Sequence, residues 1–565
     1  MKKIICVLLS VLIVLNMTAC AQTKPIKLDR SGEFTVYGLP VRFNDPFAAR
    51  HADVAFAEIA DYRYDGIEAL KEALTRMEEL CEEEDSLPQL QQLYAFCYEE
   101  LTKLNTAETI ASIQYDISTN SSKRKQTSLQ TSAWQAEATT LYEKTIQQVL
   151  ASRYGKDMTR YIGSDVAQLF DSDISDFDRL AQLLMQEDEL LKKYNQRAAQ
   201  LGFSSEKRGL DLAEIYLELV KVRKEIADVY GYESAAQYYY TEVYSRDYTP
   251  AEAAKFHANV KEYILPVYER ISQSFDGKTD AVIKQEEIVP ILQQYLPRIS
   301  TEMAAMFDDM VDRGMIYFAD KSLNHMSGAY TTRIQQFAQP FIYNGIAVED
   351  YRAVTYTAHE FGHYCDASLN GLYGAKNPAW IFDLAEVFSS GLEILLYQYY
   401  DEMFAEDVSD EKTAQLLRYL ELIILGCMYD QAQQEVFDHQ GELTVEDVNN
   451  IFLKTAEEYR MPTTGGKYFW TNNLHNFRYP FYYLSYAVAY ATSAELWLVA
   501  QTRGQQAAIQ TYLEMLSIGS FEYSYSRVMK TCGMKGFSSE KMLQQLAQRM
   551  GCELDKLQNN PQTTP

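Results

Sequence analysis

Residues 352–371 read RAVTYTAHEFGHYCDASLNG, a stretch in which two histidines stand four positions apart. Residues four apart on an α-helix lie one turn apart on the same face, so His359 and His363 can reach one ion. Neutral imidazoles at this spacing suit Zn²⁺, and Glu360 beside them can take a proton from a water bound to that ion. The stretch therefore predicts a helix that carries a catalytic metal.

The surrounding sequence favours a helix at this motif. Asp350 is a suitable N-cap, no proline interrupts the stretch, and the pair Asn370-Gly371 is a stop signal. The alternative is a chance match to H-E-x-x-H. Because only 7 of the 565 residues are histidine, such a match is expected in roughly one of a hundred chains of this kind.

A third ligand is needed, because a catalytic zinc site normally takes three protein ligands and leaves the fourth position open. Residues 377–400, NPAWIFDLAEVFSSGLEILLYQYY, predict a second helix in which Glu386 stands among apolar residues. A carboxylate there is costly unless it is paired or binds a metal. Asp383, one turn earlier, is a candidate hydrogen-bond partner for a ligand, and Glu393 lies two turns later. Solvated helix acids are the alternative for these two residues.

A tyrosine-rich stretch supplies candidate substrate contacts. Residues 474–497 read LHNFRYPFYYLSYAVAYATSAELW. Tyr483 and Tyr486 are three apart, so they share a face on a helix, and Tyr482 is an alternative to Tyr483. Tyrosine hydroxyls and the imidazole of His475 are suitable donors to the oxyanion formed when a carbonyl is attacked. The alternative is a tyrosine-rich core helix.

One region departs from the helical pattern. In residues 328–350, GAYTTRIQQFAQPFIYNGIAVED, the residues Phe341 to Tyr343 stand between Pro340 and an Asn-Gly pair and predict a short strand leading into the metal helix. An exposed strand edge beside a metal site can pair with an extended peptide. A small structural hairpin is the alternative.

Composition limits the class of protein. At 565 residues the chain exceeds one usual hydrophobic core, so at least two lobes are expected. The pattern is mostly helical, as in residues 210–234, where apolar residues recur three to four apart. The formal charge of −27 argues against nucleic acid as a partner. A strongly negative surface mostly serves solubility, and a preference for cationic substrates is the alternative.

The first residues, MKKIICVLLSVLIVLNMTACAQ, predict an exported protein. Two lysines precede an apolar run that is too short to span a membrane, which is typical of a secretory signal. Residues 17–20, MTAC, resemble a bacterial lipobox, which implies cleavage before Cys20 and lipid attachment to its thiol. We therefore expect an extracytoplasmic protein anchored to the bacterial membrane by that lipid; a plain signal peptide or an uncleaved anchor is the alternative.

The other cysteines leave the disulfide question open. Besides Cys6 in the signal and Cys20, the chain has six: Cys81, Cys97, Cys365, Cys427, Cys532 and Cys552. Export permits pairing, but buried free thiols are an equal alternative, and no C-x-x-C pair predicts a metal site.

Four motifs, taken in order, resemble the thimet oligopeptidase and oligoendopeptidase F family of zinc metallopeptidases. They are VRKEIADVYGYES, GAY…PFIYNG…VTYTAHEFGH, DLAEVFSSGLE and H…PFYYLSYAVAY, which lie within residues 210–497. Two departures are Asp366, where many relatives carry a histidine, and Ala489, where a glycine is common.

The resemblance implies a mainly α fold. Its form would be a helical clamshell with a deep channel for short unstructured peptides and a small β element beside the zinc-binding helix. The residues implied are the ligands His359, His363 and Glu386 for one zinc per chain, the general base Glu360, and the substrate contacts His475, Tyr483 and Tyr486.

The sequence as a whole predicts a zinc-dependent endopeptidase that hydrolyses short oligopeptides. A peptide-binding lipoprotein without catalysis and a zinc hydrolase of a non-peptide amide or ester are the alternatives, and the oligomeric state stays open. The predicted regions are a signal peptide (1–19), a tether (20–45), an N-terminal helical lobe (46–205), a catalytic lobe (206–552) and a disordered tail (553–565).

Overall fold

A computed structural model gives the fold of most of the chain. It describes residues 34–36, 39–41, 45–49, 51–170, 176–200, 205–319, 324–370, 373–375, 380–404, 408–521 and 523–558. The predicted signal peptide and Cys20 lie outside the described residues. Within these ranges, no helix is both long and apolar enough to cross a membrane.

The described chain is mainly helical, as predicted. Its N-terminal helices are α1 (Phe56–Ile59), α2 (Glu68–Leu80), α3 (Leu87–Ile117), α4 (Ser122–Ala151), α5 (Gly155–Ile162), α6 (Ser164–Gln168) and α7 (Phe177–Gln200). The helices before the metal motif are α8 (Glu206–Val229), α9 (Ala235–Tyr238), α10 (Pro250–Asn259), α11 (Leu265–Ser272), α12 (Gln285–Tyr295) and α13 (Thr301–Asp312).

The remaining helices build the site and its surroundings. They are α14 (Arg352–Asn370), α15 (Phe382–Leu396), α16 (Tyr400–Met403), α17 (Ser409–Phe437), α18 (Val445–Glu458), α19 (His475–Arg478), α20 (Tyr483–Arg503), α21 (Gln505–Ile518), α22 (Tyr525–Thr531) and α23 (Glu540–Gln558). Short π-helical segments occur at Tyr239–Val243 and Val260–Ile264, and 3₁₀ segments at Leu296–Arg298, Gln335–Phe337, Tyr397–Tyr399 and Gly466–Asn472.

Two small sheets accompany the helices. Strands β1 (Phe34–Val36) and β2 (Leu39–Val41) pair antiparallel within the region predicted as a tether. Strands β3 (Ile316–Phe318), β4 (Ala329–Ile334) and β5 (Gln339–Asn344) form the second sheet in the order β3-β5-β4. The predicted strand is therefore confirmed as β5, but it is the central strand of this sheet, and the edges are β3 and β4.

The described side chains form two hydrophobic cores. The smaller core draws on α2 to α6, and the larger core contains the metal helix α14 and its neighbours α15, α17 and α20. Helix α7 packs on α8 and contributes Leu183 and Tyr194 to the larger core, although the sequence placed it in the N-terminal lobe ending at residue 205. The ring of Tyr194 stacks on Phe477 with centroids 4.2 Å apart, a contact that sequence spacing does not reveal.

The end of the chain also differs from the predicted boundary at residue 552. Helix α23 continues to Gln558, because its apolar face, including Met550 and Leu554, is buried in the larger core. The cysteines after Cys20 are all free thiols. Five of them are buried and Cys552 is exposed, so none of the open disulfide pairings is formed.

Candidate metal centre and its cleft

The metal site depends on a close crossing of helices α14 and α15 at Gly362. A Cβ atom at this position would lie 2.4 Å from the carbonyl oxygen of Phe388 and 2.6 Å from Cα of Ser389. These distances are shorter than real contacts allow, so only glycine permits the two backbones to meet here. The crossing brings one turn of α15 against the two histidines of α14.

Three candidate ligand atoms converge at this crossing. The Nε2 atoms of His359 and His363 lie 3.5 and 3.6 Å from Oε2 of Glu386, and ligand atoms of the three residues all lie within 4.8 Å of one another. Ligands about 2.0–2.2 Å from one tetrahedral ion are separated by roughly 3.3–3.6 Å. The three side chains therefore fit a zinc ion after small adjustments.

The surroundings of Glu386 keep its side chain in the ionised form that a metal ligand requires. The residue is 4% exposed, and Tyr482 Oη donates to its Oε1 at 2.5 Å, while Ser389 Oγ donates to Oε2 at 3.3 Å. Burial opposes its ionisation, but His363 and His359 outweigh burial and hold the pKa of this carboxyl well below its usual range. These contacts agree with the expectation that a carboxylate at this apolar position must be paired or bind a metal.

Glu393 orients the first histidine. Its Oε1 lies 2.7 Å from His359 Nδ1, so the ring donates from Nδ1 and turns Nε2 toward the other two ligand atoms, where the neutral ring would offer its lone pair to a metal. Gln415 Nε2 donates to Glu393 Oε2 at 2.9 Å, and Tyr490 Oη donates to Oε1 at 3.2 Å. The alternative of a solvated helix acid is wrong for Glu393, because the residue is fully buried.

Replacing this buried carboxylate should weaken metal binding without removing a ligand. We expect Glu393→Gln to lower zinc affinity by about 10–100-fold, because a neutral amide holds His359 less firmly. Competition for zinc against a chelating dye measures this change. Unchanged affinity would show that the hydrogen bond to His359 Nδ1 does not support the site.

Asp383 has a different role from the one predicted. Its Oδ2 accepts a hydrogen bond of 2.6 Å from Tyr248 Oη, and its Oδ1 lies 3.4 Å from Arg246 Nε. The residue is fully buried, so it is neither a solvated acid nor a partner of a ligand histidine in this structure. Since Arg246 Nη2 also donates to the carbonyl of Phe481 at 3.0 Å, Asp383 helps tie α15 to the segment before α20.

Glu360 lies beside the ligand cluster. Thr331 Oγ1 on β4 donates to Glu360 Oε2 at 2.8 Å and so fixes the carboxylate between the strand and the helix. Glu360 is 6% exposed, and burial raises its pKa, while the charges of His359 and His363 oppose the rise. A carboxyl group with a raised pKa is a better proton acceptor near neutral pH than an ordinary one.

His475 is a neutral imidazole in this environment. Burial lowers the pKa of His475 to about 4. Its Nδ1 lies 3.2 Å from Asn473 Oδ1, and the same oxygen accepts the backbone N–H of His475 at 3.0 Å. Asn473 Oδ1 can only accept, so the Nδ1–H of His475 donates to it, and Nε2 keeps its lone pair. This tautomer suits an acceptor of a substrate N–H, whereas the predicted oxyanion donor requires the other tautomer.

The three tyrosines take different positions. Tyr482 and Tyr486 line the cavity that contains the metal cluster, whereas Tyr483 lines an adjoining cavity. Burial raises the pKa of Tyr486 well above its ordinary value, so its hydroxyl stays protonated and able to donate. Tyr482 and Tyr486 thus lie beside the three candidate ligands, while the cavity at Tyr483 also reaches His359 and Glu360; which of Tyr482 and Tyr483 contacts a substrate stays a prediction.

The cluster opens into a cavity of about 760 Å³. Strand β4 supplies one wall through Ala329, Tyr330 and Thr331, and residues of α7 and α20 supply others. Thr331 is not among the predicted site residues, because the sequence predicts the strand at Phe341–Tyr343 and not at Ala329–Ile334. The hydrogen bond from Tyr330 Oη to Asp116 Oδ2, 2.7 Å long, attaches this wall to helix α3.

The fold and site together define a class: helical proteins with two histidines and a glutamate from crossing helices in a cleft. No protein-family model and no curated protein matches the chain. Several solved structures, however, match its fold. PZ peptidase A with inhibitor 2 superposes with a TM-score of 0.73 at 17% identity, covering 88% of this chain and 99% of that one.

Two further structures have similar values. A putative oligoendopeptidase F from Bacillus anthracis gives a TM-score of 0.71 at 19% identity, covering 90% and 99% of the two chains. Another putative oligoendopeptidase F gives 0.72 at 17% identity, covering 89% and 99%. The chain therefore has the oligoendopeptidase F-like helical fold along nearly its whole length, which confirms the sequence resemblance at the level of fold.

Proposed function

We propose that this protein is a zinc-dependent endopeptidase that hydrolyses short, unstructured peptides. The observation that carries the proposal is the convergence of His359, His363 and Glu386 within one cavity that also contains Glu360. A fold shared with structures named as peptidases supports it. The alternative of a peptide-binding protein without catalysis gives no reason for a carboxylate held at the position of Glu360.

Each residue has a distinct task in this proposal. Bound zinc would act as a Lewis acid that polarises the peptide carbonyl and acidifies water. Glu360 accepts the proton of the attacking water and is held in place by Thr331. The protonated hydroxyl of Tyr486 donates to the oxygen that becomes negative, and neutral His475 accepts a substrate N–H. The hydroxyl of Tyr482 already donates to Glu386, so it steadies the ligand.

The strand β4 indicates how a peptide would lie. It is an edge strand of the described sheet, and three of its residues line the cavity. Backbone groups on such an edge pair with an extended chain. An extended, unfolded peptide therefore fits the cleft, as the channel implied by the sequence resemblance requires.

Peptide hydrolysis with and without a chelator separates the candidate functions. Internally quenched peptides of graded length should be cleaved, products should appear at internal bonds by mass spectrometry, and a chelator should stop the reaction. Binding without cleavage would favour the peptide-binding alternative. Cleavage of matched esters but not of peptides would favour the non-peptide hydrolase.

The predicted location remains a proposal and has its own test. If residues 17–20 are a lipobox, replacing Cys20 by Ala removes the thiol that receives the lipid. We expect Cys20→Ala to move from the membrane fraction to the soluble extracytoplasmic fraction, with unchanged peptidase activity. A variant that stays with the membrane would show that the chain is held there by something other than a lipid on Cys20.

A further inference from the structure

A second cavity lies along strand β4, next to the cavity that contains the three candidate metal ligands. It has a volume of about 390 Å³ and shares Thr331 and Trp380 with the cleft that contains the metal cluster. Its walls include Asn105 and Glu108 of α3, Gln135 of α4 and Arg333 of β4, and the Glu108 carboxylate already accepts hydrogen bonds from Ser112 and Ser132. A peptide that leaves the metal site along β4 therefore enters this cavity.

Arg333 is placed to meet such a peptide. It follows Thr331 by two residues, so both side chains lie on the same face of the strand. Thr331 contacts Glu360, and Ala367, one turn of α14 after His363, also lines the cavity at Arg333. At about 3.4 Å per residue, Arg333 lies roughly 7 Å along β4 from Thr331, which is the length of two residues of an extended peptide.

Among the described residues, the guanidinium group makes no hydrogen bond or ion pair with an acid, and Asp366 acts on it only electrostatically from a distance. The guanidinium lies between Trp380 and Phe521, with its Cζ 4.5 Å from each ring centroid. Its Nε and Nη2 atoms are enclosed and have no hydrogen-bond partner among the described residues. Asp366, an acid on the neighbouring helix, instead accepts hydrogen bonds from Ser520 Oγ at 2.5 Å and Asn370 Nδ2 at 3.3 Å.

This arrangement contrasts with the buried Arg223 and Arg246, which pair with Glu187 and Asp383, in a chain with 79 acidic and 52 basic residues. Arginine stays charged, and an enclosed charge without a partner is costly. The stacking of two aromatic rings fixes the plane of the guanidinium but leaves its hydrogen-bonding capacity unused. A ligand carboxylate is the group that would use it in a bidentate geometry.

We propose that Arg333 is a specificity-determining residue that binds a carboxylate of the peptide about two residues from the cleaved bond. This inference rests on the proposed function. The carboxylate has two sources: the C-terminus of a peptide, or the side chain of an aspartate or glutamate within it. The first would make the enzyme release short C-terminal fragments, and the second would give a preference for acidic residues at one position.

Matched peptides distinguish these sources. One set varies an internal position between glutamate and glutamine, two and three residues to either side of the cleaved bond. A second set carries the same sequence with a free or an amidated C-terminus. We expect Arg333→Gln to lower kcat/KM by about 10–100-fold for the preferred carboxylate peptide. It should have little effect on the matched neutral peptide, so the preference disappears.

Two further variants control for general damage. Arg333→Lys keeps the charge without the planar fork and should retain part of the preference. Arg160→Gln removes an exposed arginine of α5 and should leave the preference unchanged. If Arg333→Gln weakens cleavage of neutral and carboxylate peptides equally, the residue is structural and the inference is overturned.

A binding measurement separates this inference from the proposed function. The same labelled peptides are titrated by fluorescence anisotropy into Glu360→Gln protein with and without Arg333→Gln. If carboxylate peptides bind more tightly only when Arg333 is present, the inference stands even for a protein that cleaves nothing. If peptides are cleaved or bound with no dependence on a carboxylate at any position, the inference fails while the proposed function survives.

Discussion

Glu360→Gln should retain zinc and bind peptide while its kcat falls about 10²–10⁴-fold, the usual contribution of a general acid–base group. The substitution keeps the size of the side chain and an oxygen that can accept from Thr331 Oγ1, which now lies 2.8 Å from Glu360 Oε2. It removes the basic carboxylate that accepts the water's proton. Because Glu360 is not one of the three convergent ligands, metal content should be unchanged.

The comparison needs zinc content, peptide affinity and kcat from the same preparation. Thr331→Val is the control variant. It removes the hydroxyl that orients Glu360 but leaves the basic carboxylate, so it should reduce kcat less than Glu360→Gln does. If Glu360→Gln cleaves peptides at the parental rate with its zinc in place, the proton-accepting role is wrong and the chemistry lies elsewhere.

His363→Ala should lose metal and peptide hydrolysis together. It removes one of three ligands whose atoms lie within 4.8 Å of one another, and two remaining protein ligands do not complete a catalytic zinc site. Zinc content should fall from one per chain to near zero, and hydrolysis should fall to background. Metal analysis by atomic emission and a quenched-peptide assay on the same sample measure both quantities.

A histidine outside the site provides the control. His51 is exposed, and His51→Ala should keep both zinc and activity. Glu386→Gln should behave like His363→Ala, since a neutral amide is a poor replacement for an anionic ligand. Full zinc content in either ligand variant would place the metal at a different set of residues.

The metal motif could be predicted from sequence because its geometry is local. The spacing of His359 and His363 fixes their shared face on any helix, and the apolar setting of Glu386 marks a carboxylate that needs a partner. The roles of Asp383 and Glu393 could not be separated in the same way. They depend on how α15 crosses α14 at Gly362 and on Arg246, which lies 137 positions before Asp383.

The tyrosines show a second limit of sequence reasoning. Helix α20 begins at Tyr483, and the N-cap Tyr482 already has helical dihedral angles, φ −63° and ψ −36°, so Tyr482 and Tyr486 lie four apart on one face. The residue before Tyr482, Phe481, has φ of +64°, a left-handed conformation that a bulky residue rarely adopts. This turn directs Tyr482 toward Glu386, and no periodic pattern in the sequence records it.

The helical fold could be predicted in outline because the spacing of apolar residues in an amphipathic helix is a local pattern. The identity of the edge strand could not be predicted from such a pattern. A strand becomes central or peripheral through pairing with distant segments, and β5 pairs with both β3 and β4. Thr331 and Arg333 gain their proposed roles only from that pairing.

The proposal of a zinc peptidase is tested most directly by the return of peptide hydrolysis as zinc is added back to chelator-treated protein. We expect no hydrolysis without metal, a rate that rises in proportion to added zinc, and an end point at one zinc per chain. Parallel addition to His363→Ala should restore nothing. Full peptide hydrolysis by the metal-free protein, or a rate that does not respond to zinc, would show that the protein is not a zinc-dependent peptidase.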